Sequence, residues 1–315
     1  MSTTKKFHLS ALRELMLVGV VIVLAIIWTS LNSKFIELSN ITNILRVASY
    51  TAIASVGMTM IIVIGEIDLS AGSLVCASGL VGALVCKGTD SWILAVLAAL
   101  AVGAIVGLFN GLLCAKGKLP GFIATLASMT ILRGLAYIIT GGNSVVWDNK
   151  VFTEIGTGYV GPIPIPVIIM VVVLAFGIIL TTKMRFGRYI YAVGGSIETS
   201  RWSGIAVDKV KIIVFVIMGV LTSIAGLIIT ARLGSGQPSA GTGFEMDCIT
   251  AAVVGGTSMA GGKGKIIGTF VGVLLLTILT NGMTLVGIDT YYQQVFKGVI
   301  IVVSVLAETR SKKAA

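Results

Sequence analysis

Apolar stretches close to twenty residues long recur along this chain, separated by short charged or Gly/Pro-containing segments. A helix rises about 1.5 Å per residue, so about 20 such residues cross a hydrocarbon layer about 30 Å thick, whereas buried helices of water-soluble folds are shorter. Marking the stretches predicts ten spans, over residues 12–31, 47–65, 69–86, 92–115, 121–140, 163–182, 210–231, 247–262, 266–287 and 291–307, the eighth of them short. The expected fold is all-α, a polytopic transmembrane helical bundle forming a single domain over residues 1–315. Composition agrees: 56% hydrophobic against 11% charged residues leaves too little polar surface to coat a soluble globule of 315 residues. The first stretch, Leu15 to Leu31, follows Lys5, Lys6 and Arg13 as a secretory signal would. No small-residue cleavage pattern closes it, so it reads as a membrane anchor.

Ten spans put both termini on one side, and the basic residues say which. With the N-terminus inside, the inside segments hold Lys5, Lys6, Arg13, Lys116, Lys118, Lys183, Arg185, Arg188, Arg201, Lys209, Lys211, Lys263, Lys265, Arg310, Lys312 and Lys313, sixteen of the 23. The outside segments hold five, Lys34, Arg46, Lys87, Lys150 and Arg232, while Arg133 and Lys297 fall within spans. That bias predicts cytoplasmic N- and C-termini. It also accounts for the net charge of +10 without nucleic acid, since the basic residues are scattered through short loops. Cys76, Cys86, Cys114 and Cys248 lie in or beside apolar stretches without C-x-x-C spacing and read as small core residues. His8 is the only histidine and sits in the N-terminal tail, which excludes a histidine-based triad or multi-histidine metal site. No catalytic or metal-ligating residue is expected.

The two halves, about 12–140 and 163–307, echo one another. Glu66-Ile67-Asp68 recurs as Glu245-Met246-Asp247, Gly103-x-x-x-Gly107 as Gly268-x-x-x-Gly272, and Arg133-Gly134 as Lys297-Gly298, in the same order. Five spans separate the copies, so the second half would lie upside down relative to the first, an inverted 5+5 repeat of the kind that offers two packings around one central path. The plainer alternative for the glycine pairs is close helix approach in lipid.

A carboxylate at the centre of a span costs about 2.5 to 3.5 kcal/mol on insertion scales, so Asp68 and Asp247 need partners, water or a helix end. One reading has each cap the following helix. The other has the chain break at Gly65-Glu66 and at Gly243-Phe244-Glu245, giving discontinuous helices whose ends flank a polar path. Arg133 and Lys297 would pair with an acidic group, cap backbone carbonyls, or snorkel to an interface. The longest inside loop, 183–211, carries six basic residues yet also Tyr189, Tyr191, Ile197, Trp202 and Ile205, too apolar for a solvated linker, which suggests a docking surface. The run VVGGTSMAGGKGK does not match G-x-x-x-x-G-K-S/T, because Thr257 and Met259 stand where the first glycine belongs. A nucleotide that drives this protein must therefore bind another chain.

Three segments carry a family resemblance. AIASVGMTMIIVIGEIDLSAGS, RFGRYIYAVGGSIETSRWSGI and QPSAGTGFEMDCITAAVVGGTSMAGGKGKIIGT resemble, in register over about residues 46 to 300, the ribose-type permeases of bacterial ABC importers. The resemblance implies a permease subunit of the bacterial cytoplasmic membrane that moves ribose or a related monosaccharide. Its implied partners are a cytoplasmic ABC ATPase subunit that binds the ATP, an extracytoplasmic sugar-binding protein, and a second permease chain in a homodimer, with no cofactor in this chain. By resemblance Glu198, Ser203 and Gly204 fall at coupling-helix positions, with Arg185, Gly187 and Arg188 just before them. Glu66 stands where the family usually has glycine, and Ser196, Ile197, Thr199 and Ser200 replace more typical Asn and Ala positions. For a weakly polar sugar path the candidates are Ser70, Ser73, Asn110, Thr125, Gln237 and Asn281, alongside Asp68, Glu245 and Asp247 at the helix breaks. The alternative for the neutral ones is interhelical hydrogen bonding, at about 0.6 kcal/mol per contact. Two rival functions also fit an inverted repeat or a bundle: an ion-coupled secondary sugar transporter, and a passive pore or scaffold.

Overall fold

The computed structural model describes residues 3–313, with side chains for 16–306. His8 and the basic residues nearest either terminus lie outside those described side chains. The chain forms α1 (Thr3–Leu31), a 3-10 turn (Ser33–Ile36), α2 (Leu38–Val63), α3 (Ala71–Thr89), α4 (Trp92–Ala115), α5 (Gly121–Thr140) and α6 (Lys150–Thr157). A two-stranded hairpin, β1 (Tyr159–Val160) and β2 (Ile163–Pro164), leads into α7 (Ile165–Thr182), α8 (Arg185–Gly195), α9 (Ile197–Trp202) and α10 (Val207–Leu233). The last elements are α11 (Phe244–Val254), α12 (Ile266–Leu285) and α13 (Thr290–Lys313).

A helix lies on each of the ten expected spans, and α2, α3, α4, α5, α7, α10 and α12 are each long and apolar enough to cross a membrane. The apolar parts of α1 and α13 within the described side chains, Met16–Leu31 and Thr290–Leu306, are shorter. The eighth expected span, 247–262, is corrected. Its helix, α11, has 11 residues, about 16 Å of rise and half a hydrocarbon layer. Gly255-Gly256 ends it, and residues 255–265 run as turns with Gly256, Gly261 and Gly262 at positive φ. The first half breaks too: Gly65, at φ +82°, closes α2, and residues 66–70 run without regular structure before α3 begins.

Burial separates inner from outer helices. Of the most apolar 18-residue windows, 83% of α2 and 61% of α10 is buried, against 22% of α4 and of α5. The outer helices carry Leu, Ile and Phe outward, as lipid allows. Close approach is set by small residues: a Cβ on Gly103, Gly107 or Gly111 of α4 would collide with the α10 backbone around Ile212, Phe215 and Gly219. Gly268 and Gly272 of α12 instead pack on Gly255 and Ala251 at α11, so the two Gly-x-x-x-Gly pairs have different partners. The wider neighbour pattern does recur. In the first half α3 and α4 pack on α10, and α3 also packs on α4 and α5; in the second, α11 and α12 pack on α2, and α11 on α12 and α13. α1 lies against α12, where Trp28 covers Gly282. At the end of the bundle remote from α8 and α9, α6 and the hairpin seat on α10 and α7.

Candidate functional site

The two helix breaks meet. Gly72, the second residue of α3, faces the Glu245 carboxylate and the Gly241 carbonyl so closely that a Cβ there would collide with both. Behind this meeting point runs a buried polar seam. Asp68 Oδ1 accepts from the Ser70 N–H at 2.8 Å and from Ser70 Oγ at 2.6 Å. Asn110 Nδ2 donates to Ser70 Oγ at 3.1 Å, and Ser128 Oγ to Asn110 Oδ1 at 2.5 Å, linking α3, α4 and α5. Thr125 Oγ1 accepts from the Leu69 N–H at 3.0 Å and donates to the Gly121 carbonyl one turn back. Asp68 is 2% exposed and Ser70, Asn110 and Thr125 are as deeply buried, so the seam ties helices together and is closed to any groove in this packing.

In front of the meeting point lies a groove of about 500 Å³ lined by Ser73, Met129, Thr130, Arg133, Gly134, Tyr137, Thr242, Gly243 and Glu245. Arg133 donates Nη1 to the Pro238 and Ala240 carbonyls at 2.7 and 2.8 Å, the carbonyl-capping alternative, and holds the turns that lead into α11 against α5. Arg133→Met leaves both carbonyls without that donor and is expected to lower stability by about 1–3 kcal/mol, read as a lower unfolding midpoint of the purified protein. Lys297 takes the other alternative and pairs with Asp247 Oδ1 at 2.6 Å, with side chains 27% and 30% exposed. Asp247 thus serves α13 and does not cap its own helix. Gln237 sits beyond α10, its side chain on Ser235. Asn281 makes a reciprocal amide pair with Asn40, at 2.9 and 3.0 Å, among α1, α2 and α12 and outside the groove.

The segment between α7 and α10 is built as two helices, because the Gly194-Gly195-Ser196 sequence breaks it and the Ser196 hydroxyl caps α9 through the Thr199 N–H. α8 is fixed from below. Gly187 fits against the Leu180 and Thr181 carbonyls, and Gly194 against Val63 at the end of α2. Tyr191 donates its hydroxyl to the Gly264 carbonyl at 2.8 Å, and burial raises that phenol above its usual value, keeping it a neutral donor. The Gly-rich run after α11 therefore serves as a seat for α8, with the Gly262 N–H donating to the Val63 carbonyl at 2.8 Å. Arg185, Arg188, Glu198, Ser203 and Gly204 stay exposed, as does Trp202 at 88%. Gly204, at φ +77°, makes the turn between α9 and α10.

Charge reading alone missed a second ion pair. Lys211 Nζ meets Glu66 Oε1 at 2.5 Å, each side chain 11% exposed. Both residues stood in the sequence as a loop cation and a break-point acid 145 positions apart, with nothing to join them.

Apolar helices facing outward, charged side chains turned to a groove between broken helices, and an anchored basic segment at one end define a polytopic membrane permease. The chain belongs to the family described as the branched-chain amino acid transport system permease component, which matches residues 40–305. It is similar to the ribose import permease protein RbsC of Escherichia coli, 44% identical over 303 residues covering 94% of this chain and 93% of the relative. The Bacillus subtilis ribose import permease is 42% identical over 93% of this chain and 91% of its own. The xylose transport system permease protein XylH of Haemophilus influenzae is 33% identical over 95% and 96%. No solved structure matches the chain.

Proposed function

We propose that this chain is the membrane subunit of an ATP-driven importer for ribose or a related monosaccharide, working as two copies that enclose the path between them. The names of the relatives support the sugar. The observation that carries the path is the set of part-exposed charges on α5, α11 and α13. Arg133, Glu245, Asp247 and Lys297 are all half-buried, and Arg133 lies about 18 Å along α5. Lipid cannot face them cheaply, so water and a second copy must. The recurring neighbour pattern and the ordered sequence matches support an inverted repeat, with a second copy meeting α5 and α13.

In this reading the basic end lies in the cytoplasm with both termini, and α8 and α9 present their exposed residues, Arg185 to Gly204, to an ATPase subunit that binds the nucleotide. A sugar-binding protein docks at the opposite end. ATP-driven closure of the ATPase pair presses on α9, and the helix breaks rock between two packings. Glu245 faces the sugar, which meets few polar contacts and leaves readily. The buried seam of Asp68, Ser70, Asn110 and Thr125 carries the rocking motion as a unit. The chain makes and breaks no covalent bond.

Gly134 tests the enclosure, since a Cβ there meets nothing within 4 Å and the four native cysteines are buried. Gly134→Cys is expected to react with a hydrophilic thiol reagent and to cross-link two copies on oxidation. Inertness to that reagent together with an uncross-linked product would refute a path between copies.

A further inference from the structure

We infer that the buried Glu66–Lys211 pair is a positioning device that ties the coupling end of α10 to the first helix break and to α5, so that the three move together. This rests on the transport reading above and goes beyond it by assigning the pair a role.

Glu66 is placed for two partners. Its Oε1 takes Lys211 of α10, and its Oε2 accepts the N–H of Gly121, the first residue of α5, at 2.8 Å. That N–H is one of the unpaired donors at a helix start, and a carboxylate there is favoured by the helix dipole. One side chain in the α2–α3 break therefore grips two other helices at their basic-end termini. One turn before Lys211, Asp208 pairs with Arg201 of α9 at 3.2 Å, but at 50% and 57% exposure. Such a solvated pair holds α9 loosely. The buried pair is the firm joint, because removing one partner strands a charge, whereas the exposed pair parts at little cost.

The space around the joint fits a moving part. Glu66, Lys211, Arg201, Ile197, Cys114 and Pro120 line a pocket of about 390 Å³ that separates α9 from the start of α5. Pressing α9 inward narrows this pocket, and α5 cannot lag behind α10 while Glu66 holds both. α5 carries Arg133 on the groove, and Ile67 to Ser70, just beyond Glu66, carry the polar seam. The joint thus connects the segment that meets the ATPase to both the groove and the seam.

A purely structural pair would be replaceable by a neutral one, since apolar or neutral substitutes for buried ion pairs are often as stable. The test measures sugar molecules imported per ATP hydrolysed in the full reconstituted complex, alongside the unfolding midpoint and basal hydrolysis. Lys211→Arg, which keeps the charge and the reach, is expected to retain the parent ratio. Glu66→Asp keeps the charge but is one methylene too short for both partners, and Glu66→Gln with Lys211→Met removes the charges together. Each is expected to fold, hydrolyse ATP at the basal rate and import about tenfold less sugar per ATP, a size in keeping with mutational effects on coupling between sites. A parent-like ratio in Glu66→Asp, or in a stable neutral double variant, overturns the inference. Failure of the parent complex to import sugar with ATP would instead overturn the transport reading, so the two failures are distinct.

Discussion

Gly219→Leu is expected to destabilise the bundle by more than about 3 kcal/mol, beyond the usual cost of overpacking, because the obstacle is backbone. A Cβ at Gly219 runs into the Gly103 carbonyl and comes to 3.2 Å from the Gly107 Cα. Neither can rotate away as a side chain would. The whole of α4 would have to lift off α10, opening contacts along Gly103, Gly107 and Gly111 that no hydrophobic force replaces in lipid, where association rests on packing. The check is the unfolding midpoint and monodispersity of the purified variant in detergent beside Gly88→Leu, whose site is open. The control should stay within about 0.5 kcal/mol of the parent. A monodisperse Gly219→Leu protein with the parent's midpoint contradicts the close α4–α10 contact.

Gly204→Val is expected to fold yet lose at least about tenfold of the ATP hydrolysis that loaded binding protein stimulates in the complex. No atom lies within 4 Å of a Cβ at this position, so there is no clash. The difficulty is φ +77°, which a β-branched residue adopts only at a cost of about 1–2 kcal/mol or more. The Gly204 N–H donates to the Arg201 carbonyl, and the Ile205 N–H to that of Ser200, each at 3.0 Å, closing α9. Valine drives the turn back to negative φ and re-aims α9, with its exposed Ile197 and Trp202. Gly204→Asn tolerates the left-handed conformation and should keep most of the stimulation. Parent-like stimulation in Gly204→Val would remove α9 from the coupling role.

How much of this was legible in the sequence follows from which signals are local. Apolar length is local, and it placed a helix on each of the ten long stretches, but not α6, α8 or α9, which are too short and too polar to give that signal. The two chain breaks were legible for the same reason, through Gly65 and Gly243, although the Gly255-Gly256 pair that halves α11 looked like part of an apolar run. Partnership is not local. Gly103 and Gly268 announce close packing without saying on what, and the answers, α10 and α11, differ. Asp68 and Asp247 look alike in sequence, yet one is sealed against Ser70 and the other reaches Lys297. Asn281 was chosen for the path because a polar residue on an apolar helix looks the same from every side; its partner Asn40 lies 241 residues away. The Glu66–Lys211 joint went unseen for the same reason, and its signal was the unusual Glu66 itself.

In the proposed cycle the helical bundle moves sugar only when a separate ATPase works on its basic end. Labelled ribose uptake into liposomes tests it most directly, comparing this chain alone, with a proton or sodium gradient imposed, against the chain with its ATPase, binding protein and ATP. The account predicts uptake only in the full assembly, lost when ATP hydrolysis is blocked. Gradient-driven ribose uptake by the chain alone would contradict it.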